Sequence, residues 1–429
     1  MTRTLYSLLW LLGMPVVIAR LAWRGRRQPD YLLALRERFG QLDAPPQPCI
    51  WLHAVSVGET RAAQPLLNAL LIAYPDHHFL ITHMTPTGRA TGRELFGKGA
   101  RIHQAWLPYD IPSCMRRFLK TVRPICGIVM ETEVWPNLMH EANAFGIPML
   151  LANARLSARS AKGYARLGKL ARTAFSGFRK IAAQSDADAE RLRKLVDAGM
   201  VGSIDVVGNI KYDVSISAAM QTLGAEFKSL ATDRPVMLAA STREGEEVLL
   251  LDAFARHAST HVLLVLVPRH PQRFEEVAEL VRRANLSMQR RSDSLAIAPT
   301  TRVWLGDSMG EMAAYYAMAD VSLIGGSWLP FGSQNLIESC AAGVPVMVGP
   351  HTFNFADAAA KAIEAGAALR CANAEEGIVA ALDLLSNTES RDKMGQAGRV
   401  FCRLHGGATT RLMALIGSLL DEAKTTKGA

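Results

Sequence analysis

The chain has 429 residues, of which 49% are hydrophobic and 20% charged, which excludes a disordered protein and allows two or three globular domains. Its net charge of +9 indicates an anionic partner, such as a phosphorylated substrate or an acidic lipid surface. It lacks a long basic block, a Cys-x-x-Cys pair and a dense cluster of metal ligands, so we expect no nucleic-acid partner, no disulfide framework and no metal or other cofactor.

The first predicted element is an apolar helix. Residues 4–19 carry no charge, and extension to residue 23 gives about the 20 residues that a spanning helix needs. Arg20, Arg24, Arg26 and Arg27 come after the apolar run, an order that keeps the following chain cytoplasmic and disfavours a cleaved signal peptide. We predict that residues 1–28 form a membrane anchor with a basic flank, either spanning or interfacial. The alternative is a buried helix of a soluble fold.

From residue 49 onward, short apolar runs alternate with helix-like stretches. This pattern is typical of a parallel sheet covered by helices on both faces. The predicted strands of this part are 49–55, 79–83, 125–130, 148–152, 181–184 and 204–207. We assign residues 29–232 to an N-terminal Rossmann-like domain.

The pattern restarts at residues 233–235. The next predicted strands are 236–240, 262–267, 302–305, 321–324, 345–348 and 367–371. Residues 233–405 therefore form a second Rossmann-like domain, and residues 406–429 form a final helix. The predicted fold class is α/β, with two Rossmann-like domains facing a cleft.

The two halves begin alike, since each first strand ends in small and hydroxyl residues before a Gly-Glu pair opens a helix. Residues 53–59 and 239–246 carry this pattern. Because ligands in such sheets bind beyond the carboxyl ends of the strands, Ser56 and Ser241 are expected to face the cleft. Gly58, beside Glu59, lets a substrate approach.

The stretch 325–355 carries the strongest local signal. A predicted strand ends in Gly325-Gly326-Ser327, and a helix-like segment opens near Asn335, with Glu338 about one turn into it. Bare backbone and unpaired N–H groups at a helix N-terminus bind phosphate, and a carboxylate there can accept hydrogen bonds from sugar hydroxyls. The simpler interpretation is a tight turn with a surface glutamate.

Several motifs together resemble those of the lipopolysaccharide Kdo transferases. These enzymes move 3-deoxy-D-manno-octulosonic acid (Kdo) from CMP-Kdo to the lipid A precursor. The matching motifs, in chain order, are His53-Ala-Val-Ser-Val-Gly-Glu59, Met130-Glu-Thr-Glu-Val-Trp-Pro-Asn137, Asn153-Ala-Arg-Leu-Ser157, Gly208-Asn-Ile-Lys211, Pro268-Arg-His-Pro271 and the stretch 325–355. They extend over nearly the whole chain.

The resemblance implies an inverting glycosyltransferase of GT-B fold, in which residues 29–232 bind the acceptor and residues 233–405 bind the nucleotide sugar. Its catalytic domains would lie on the cytoplasmic side of the inner membrane, with CMP-Kdo as donor and the lipid A precursor as acceptor. The membrane itself, through its anionic lipid surface, would be a further partner. The last helix of the family usually packs back on the first domain, which is the expected role of residues after about 406.

The candidate catalytic residues follow the strands of the first half. Glu59 is our general base, and the resemblance assigns it the same role; a glutamate that merely stabilises the helix N-terminus is the alternative. Because a carboxylate at a helix N-terminus normally has a lowered pKa, its basicity must come from burial or substrate binding. By resemblance, Glu131 and Lys211 stabilise the transition state. Glu133 is either a participant or a structural residue.

The candidate donor-site residues lie in the second half. Arg269 follows a predicted strand, and its guanidinium can bind the donor phosphate or carboxylate in bidentate fashion. The CMP leaving group is already a monophosphate, so cationic side chains and helix N-termini can take the place of a metal ion. The complete set of donor candidates is Pro268, Arg269, Met309, Gly310, Glu311, Gly326, Ser327, Asn335, Leu336, Ile337 and Glu338.

One departure from the family pattern concerns residues 332–335. This chain has Gly-Ser-Gln-Asn where the family usually has Gly-Gly-His-Asn. Because Gln334 cannot take a proton near neutral pH, it cannot neutralise charge as a histidine can. Two alternatives remain: another GT-B enzyme, such as a nucleotide-sugar epimerase or a lipid A disaccharide synthase, and a non-catalytic membrane-bound module that binds a nucleotide sugar. The motifs at 53–59 and 130–137 argue against the first alternative, and intact Glu59, Lys211 and Arg269 argue against the second.

Overall fold

The structure, a computed structural model, describes residues 1–97, 99–214 and 216–428, with side chains up to residue 422. The chain divides into two compact units: the first is Met1–Asp213 with Gly406–Ala429, and the second is Val214–His405. Sequence patterning places the boundary after residue 232, whereas the structure changes unit after Asp213.

Each unit contains a parallel sheet, with seven strands among the described residues of each. The strands in chain order are β1 (Cys49–His53), β2 (His78–His83), β3 (Ile102–Trp106), β4 (Cys126–Met130), β5 (Met149–Ala154), β6 (Lys180–Ala183), β7 (Ile204–Val206), β8 (Val236–Thr242), β9 (Leu263–Pro268), β10 (Met288–Arg290), β11 (Val303–Leu305), β12 (Val321–Ile324), β13 (Val346–Val348) and β14 (Ala368–Arg370). The strand orders are β3-β2-β1-β4-β5-β6-β7 and β10-β11-β9-β8-β12-β13-β14.

Helices surround both sheets. In chain order they are α1 (Arg3–Arg27), α2 (Val57–Ala62), α3 (Gln64–Ala73), α4 (Pro86–Phe96), α5 (Pro112–Val122), α6 (Pro136–Ala144), α7 (Ala158–Leu167), α8 (Lys169–Ser176), α9 (Asp186–Arg193), α10 (Ala218–Leu230), α11 (Glu246–His257), α12 (Phe274–Arg283), α13 (Met312–Met318), α14 (Ile337–Ala342), α15 (Ala356–Glu364), α16 (Ala374–Ser386), α17 (Thr388–His405) and α18 (Ala408–Gly428). Helices α1–α9 and α18 belong to the first unit, and α10–α17 belong to the second.

The first sheet separates two hydrophobic clusters. Trp51 points into one cluster, while its neighbours Ile50 and Leu52 point into the other, as the alternation of side chains along a strand requires. Leu412 and Ile416 of α18 join the second cluster, so the last helix packs on the first unit.

Two strands have no counterpart in the predicted series, and both lie at sheet edges. β3 has the sequence Ile-His-Gln-Ala-Trp, and β10 is the three-residue segment Met-Gln-Arg. The first three residues of β3 and all three of β10 are only half-buried, so neither strand needs a continuous apolar run and hydrophobic patterning misses both. The inner strands are fully buried apolar segments such as Cys49–His53, which is why patterning finds them.

The first unit carries α1 on its surface. Trp10, Met14 and Val17 pack against a small cluster formed by Tyr109, Ile111 and Cys114, while the other side of the helix is exposed. Among the described residues, α1 is the one helix that is long and apolar enough to cross a membrane, by length and composition alone.

The second unit begins with α10, which crosses α13 at close range. A Cβ atom on Gly224 would lie 2.4 Å from the Cβ of Ala317, so only glycine allows this approach. The ring of Phe227 packs edge-to-face against Trp304, with centroids 5.1 Å apart, and at a tilt against Tyr315, with centroids 5.3 Å apart. These contacts explain why residues 218–230 belong to the second unit.

Candidate active site

Glu59 lies in the first turn of α2, directly beyond β1. Its carboxylate accepts hydrogen bonds from the backbone N–H of Val55 at 2.7 Å and from the hydroxyl of Ser56 at 3.2 Å. The Ser56 side chain also caps α2 by accepting from the N–H of Glu59, so one residue both starts the helix and orients the carboxylate. Gly58, next to it, is exposed.

Burial is the main reason why the pKa of Glu59 is raised to about 7, and the negative charges of Glu131 and Glu133 contribute to this rise. The Val55 N–H and the Ser56 hydroxyl oppose this shift but do not cancel it. Desolvation therefore outweighs the stabilisation of a carboxylate at a helix N-terminus. A carboxylate with a pKa near neutrality is suited to take a proton from a hydroxyl group.

Glu131 and Lys211 meet in the same unit. The Nζ of Lys211 lies 3.7 Å from Oε1 of Glu131, with both side chains partly exposed. Glu131 is the first residue after β4, and its φ of +56° lies in the left-handed region that residues other than glycine rarely adopt. Strained backbone of this kind is common at functional sites, and here it follows directly after a buried strand.

Glu133 shares the loop of Glu131. Burial raises the pKa of Glu133, the charge of Glu131 adds to the rise, and the Trp135 side chain opposes it. The first unit thus brings together four of the predicted residues, namely Glu59, Glu131, Glu133 and Lys211. The result is a cluster of three carboxylates and one ammonium group. The glutamates follow the neighbouring strands β1 and β4, whereas Lys211 follows the edge strand β7.

Two asparagines hold Lys211 in place. Lys211 lies in a short 3₁₀ turn, Ile210–Tyr212, whose first N–H donates to the side chain of Asn153 at 3.1 Å. The Asn209 side chain accepts from the Lys211 N–H at 3.0 Å. Asn153 is fully buried and has a φ of +53°. Both belong to motifs seen in the sequence, but their positioning role was not predicted; a lone amide in the apolar segment Met149–Ala154 was the available signal.

His53 belongs to the first motif but lies beneath the site. It is fully buried, and its Nδ1 contacts the carbonyl and hydroxyl of Thr82 at 3.0 and 2.8 Å. Burial is the main reason why the pKa of His53 is lowered to about 3, and the nearby His83 contributes to this shift, so the ring is neutral. It joins β1 to β2.

In the second unit, a buried carboxylate of the protein itself binds the N–H groups of the glycine-rich loop. The N–H groups of Gly326 and Trp328 donate to the buried carboxylate of Glu246 at 2.7 and 2.9 Å. A Cβ atom on Gly325 would lie 2.3 Å from the carbonyl oxygen of Ser241, so glycine here allows close packing of β12 against β8. Ser327 is fully buried, and its hydroxyl donates to Ile324.

The Gly326 N–H and the Ser327 hydroxyl therefore have partners inside the protein, and the binding of phosphate by these two residues stays a prediction. Glu246 was not predicted as a functional residue, although the repeated Gly-Glu pair was its signal in the sequence. Ser241 has a φ of +56°, and its hydroxyl lies 3.6 Å from the sulfur of Met312.

Asn335 and Glu338 form one unit at the start of α14. The Asn335 amide donates to Glu338 at 2.8 Å, and its oxygen accepts from the N–H of Ile337 at 3.0 Å. The side chains of Leu336 and Ile337 lie in the core, so only their backbone can contact a ligand. The helix begins at Ile337, two residues later than expected, and Leu336 is its N-cap residue.

The remaining donor candidates occupy two loops of the second unit. Pro268 ends β9, and the Arg269 N–H donates to Thr242 at 3.0 Å. Met309 is half exposed and Gly310 has a φ of +81°. The Glu311 carboxylate accepts from Ser308 at 2.5 Å and from Arg291 at 3.2 Å, and α13 starts just after it.

Comparison with known proteins adds independent findings. Residues 34–214 match the sequence model of the family described as 3-deoxy-D-manno-octulosonic-acid transferase (kdotransferase), and residues 249–401 match glycosyl transferases group 1. A 3-deoxy-D-manno-octulosonic acid transferase of Bordetella pertussis is 46% identical over 96% of this chain and 98% of its own length. The enzyme of that name from Haemophilus influenzae is 36% identical, over 98% and 99%.

A likeness to solved structures concerns the fold alone. UDP-GlcNAc 2-epimerase from Neisseria meningitidis bound to UDP-GlcNAc covers 86% of this chain and all of its own, with a TM-score of 0.56 and 14% identity. A glycosyltransferase from Rickettsia africae has a TM-score of 0.55, also at 14% identity, over 87% of this chain and 98% of its own. Both agree with a GT-B arrangement of two α/β units.

Proposed function

The chain belongs to the 3-deoxy-D-manno-octulosonic acid (Kdo) transferase family, and we propose that it transfers Kdo from CMP-Kdo to the lipid A precursor during synthesis of the lipopolysaccharide inner core. It is a Kdo transferase, and therefore a glycosyltransferase; the donor, acceptor and residue roles are the parts that we propose. The observation that best supports them is the cluster of Glu59, Glu131, Glu133 and Lys211, in which one carboxylate has a pKa near neutrality.

In this mechanism Glu59 is the general base. An acceptor hydroxyl attacks the anomeric carbon of Kdo from the face opposite the leaving group, and its proton passes to the Glu59 carboxylate. The new bond joins the acceptor oxygen to the anomeric carbon, the bond from that carbon to the phosphate oxygen breaks, and CMP leaves. The Val55 N–H and the Ser56 hydroxyl keep the carboxylate aimed during this step.

Lys211 and Glu131 stabilise the charges that develop during transfer. Glu131 faces the positive charge that grows on the sugar ring, and Lys211 balances the negative charge of the leaving group. The Lys211 ammonium and the Glu131 carboxylate lie 3.7 Å apart, so they form an ion pair. Glu133 acts indirectly, because its charge raises the pKa of the base.

We place the donor in the second unit. The loop that follows β9 supplies Pro268 and Arg269, with Arg269 binding the phosphate or the Kdo carboxylate. The backbone from Met309 to Glu311 holds the nucleotide, and Glu338, held by Asn335, accepts hydrogen bonds from the ribose hydroxyls.

We place the anionic groups of the acceptor on α7. Arg159, Lys162 and Arg166 are exposed on this helix and line a groove of about 470 Å³. The Tyr164 hydroxyl, on the inner side of α7, donates to the backbone oxygen of Thr132 at 3.2 Å, between the two carboxylates of the catalytic loop. A phosphorylated glycolipid that rests on this basic face has its sugar near Glu131 and Glu133.

We propose that α1 attaches the enzyme to the cytoplasmic face of the inner membrane. Its exposed apolar side chains and the basic residues at its end fit the lipid interior and the anionic headgroups, respectively. The acceptor would be taken from this surface, and CMP-Kdo from the cytosol.

Incubation of the purified protein with CMP-Kdo and the lipid A precursor tests this function. The expected product is the precursor with added Kdo, identified by mass spectrometry, together with release of CMP that depends on the acceptor. CMP release without acceptor, or no turnover in the wild-type protein, would overturn the proposed reaction. Product formation by an Ala variant of Glu59 would overturn the assignment of the base alone.

A further inference from the structure

The face of α1 that lies against the protein carries polar groups. Arg3, Ser7, Trp10, Met14 and Val17 are half-buried and follow the three- and four-residue spacing of one helix face. Trp10, Met14 and Val17 pack on the hydrophobic cluster described above. The first two turns instead make hydrogen bonds, which is unusual for a segment whose composition fits a membrane.

Those hydrogen bonds end on two fully buried residues, Asp110 and Asn137. The Ser7 hydroxyl donates to the Asn137 side chain at 3.0 Å, and the Arg3 guanidinium approaches the same oxygen at 3.5 Å. The Tyr6 side chain interacts with the Asp110 carboxyl. We call these five residues the latch.

The latch also fixes the start of α6. The Asp110 carboxylate accepts from the N–H groups of Asn137 and Leu138 at 3.0 and 2.8 Å, and the Asn137 amide donates to the Asp110 backbone at 2.7 Å. Helix α6 begins at Pro136, three residues after Glu133. Whatever holds Asn137 therefore limits the movement of the loop that carries Glu131 and Glu133.

Besides the latch, an aromatic contact joins α1 to the rest of the first unit. The ring of Trp10 lies 6.5 Å from that of Trp135 and 6.0 Å from that of Tyr109. Trp135 lies two residues after Glu133 in the chain. The docked face of α1 thus contacts, through the Trp135 ring, the loop that carries the catalytic carboxylates.

The opposite face of α1 is apolar and exposed. Leu12 is 68% and Val16 is 71% exposed, and Leu8 and Leu9 lie on the same side. If α1 crossed the bilayer, the residues on which it docks, including Asp110 and Asn137, would be drawn into hydrocarbon at a high cost. An orientation in the plane of the membrane surface avoids this cost, with the exposed face in lipid and the docked face on the protein.

We propose that α1 is a positioning element whose outer face binds the lipid surface and whose latch residues Tyr6 and Ser7 hold the Glu131–Glu133 loop for catalysis. This inference rests on the proposed function for its readout of activity. It assigns to the two faces of one helix two effects that can be measured separately.

The test compares variants of the two faces. Tyr6→Phe with Ser7→Val removes both latch hydroxyls. The matched control Ser7→Thr leaves Tyr6 unchanged, keeps a hydroxyl at position 7 and has the branched shape of valine. Leu8→Ser with Leu12→Ser changes the outer face. For each protein, kcat and the KM for CMP-Kdo are measured on detergent-dispersed acceptor, and co-sedimentation is measured with vesicles that contain anionic phospholipid.

The latch variant is expected to lose about 10- to 100-fold in kcat, as displaced catalytic groups do, with unchanged KM for CMP-Kdo and unchanged co-sedimentation. Ser7→Thr should stay near wild type. The outer-face variant should lose co-sedimentation while keeping its kcat on dispersed acceptor. A latch variant with wild-type kcat, or equal losses of kcat in both variants, would overturn the positioning role.

A readout that does not need activity separates this proposal from the proposed function. Hydrogen exchange of the backbone amides of residues 131–138 should be faster in the latch variant than in Ser7→Thr, with the other amides of the first unit unchanged. Absence of Kdo transfer by the wild-type protein refutes the proposed function, whereas unchanged exchange in this segment refutes the latch. Faster exchange throughout the first unit would show a general loss of stability and would also refute it.

Discussion

Glu59 combines two opposing influences at one residue. The N-terminus of α2 favours a charged carboxylate, whereas burial and two neighbouring carboxylates favour the neutral form. Burial and the neighbouring charges have the larger effect, so the pKa rises to about 7. A base must also be held in place, which the Val55 N–H and the Ser56 hydroxyl achieve.

Replacement of Glu59 by Gln is expected to reduce Kdo transfer by about 100- to 10,000-fold, the usual cost of removing a general base. CMP affinity, measured by calorimetry, should stay at the wild-type value because we place the nucleotide in the other unit. Glu94→Gln is a suitable control, since Glu94 is an exposed glutamate of the same unit. A loss of less than about tenfold would move the role of base to another residue.

The pH dependence of the rate should follow the ionisation of Glu59. A base works in its charged form, so kcat/KM should rise with pH and level off above an apparent pKa of about 7. Glu133→Gln removes a negative charge that raises this pKa, and the rising limb should move to lower pH. A limb that stays in place in this variant would contradict the coupling between the two carboxylates.

The same shift has a consequence for stability. Because the pKa of Glu59 is raised to about 7 in the folded state, folding binds a proton between its ordinary pKa and 7, and stability falls as pH rises through this range. Glu59→Gln removes this loss. The variant should therefore gain in melting temperature relative to wild type at pH 8 and gain little at pH 4, as calorimetry can measure.

At the level of elements, α7 offers a test of the acceptor site. Lys162→Glu with Arg166→Glu reverses the exposed basic face, while Lys120→Glu with Lys194→Glu makes the same change of charge on exposed residues of α5 and at the end of α9. The first pair should raise the KM for the phosphorylated acceptor and leave the KM for CMP-Kdo unchanged, because it weakens the charge-assisted contacts to the acceptor phosphate. Steady-state kinetics with each substrate varied in turn measures both constants.

Equal effects of the two α7 charge changes and the two control changes would mean that net charge, and not this face, attracts the acceptor. A second comparison sharpens the result. Acceptor from which the phosphates have been removed should show no difference between wild type and the α7 variant, since the contacts that the variant loses are contacts to phosphate.

The elements differ in how well their sequence predicts them. Inner strands such as β1 and β4 are continuous apolar runs, and the residues beyond them, Glu59 and Glu131, could be named as a site because parallel strands end at one edge. β3 and β10 were missed because edge strands carry polar residues. The composition of α1 revealed its apolar face, but its hydrogen bonds to Asn137, more than a hundred residues away, have no local signal.

The glycine-rich loop shows a different limit. Its pattern predicted a phosphate cradle with Gly326 and Ser327, yet the N–H of Gly326 donates to Glu246, which lies far away in the sequence. Local patterns report the shape that a backbone can adopt, and the partner of each N–H depends on the fold around it. The side chains of Ser56 and Asn335 instead accept from the N–H groups of Glu59 and Ile337, so these contacts are local in the sequence.

On the scale of the whole molecule, the division into units predicts which fragments fold. Phe227 of α10 is 2% exposed and packs against the rings of Trp304 and Tyr315. Lys228 of the same helix forms an ion pair with Asp320 at 2.6 Å. A fragment of residues 214–405 keeps these contacts, and a fragment of residues 233–405 loses them. The loss of one buried phenylalanine alone costs about 3–5 kcal/mol, a large share of the 5–15 kcal/mol that stabilises a typical domain.

We therefore expect fragment 214–405 to unfold in one cooperative thermal transition and to bind CMP, as measured by calorimetry. Fragment 233–405 should melt at a lower temperature or fail to fold, because the apolar surface of α13 that α10 covers becomes exposed. Phe227→Ala in the longer fragment isolates the aromatic contribution and should give an intermediate melting temperature. Equal melting temperatures for the two fragments would place the boundary after residue 232, as the sequence pattern suggested. A well-folded longer fragment that does not bind CMP would instead show that this unit is not sufficient for the donor site.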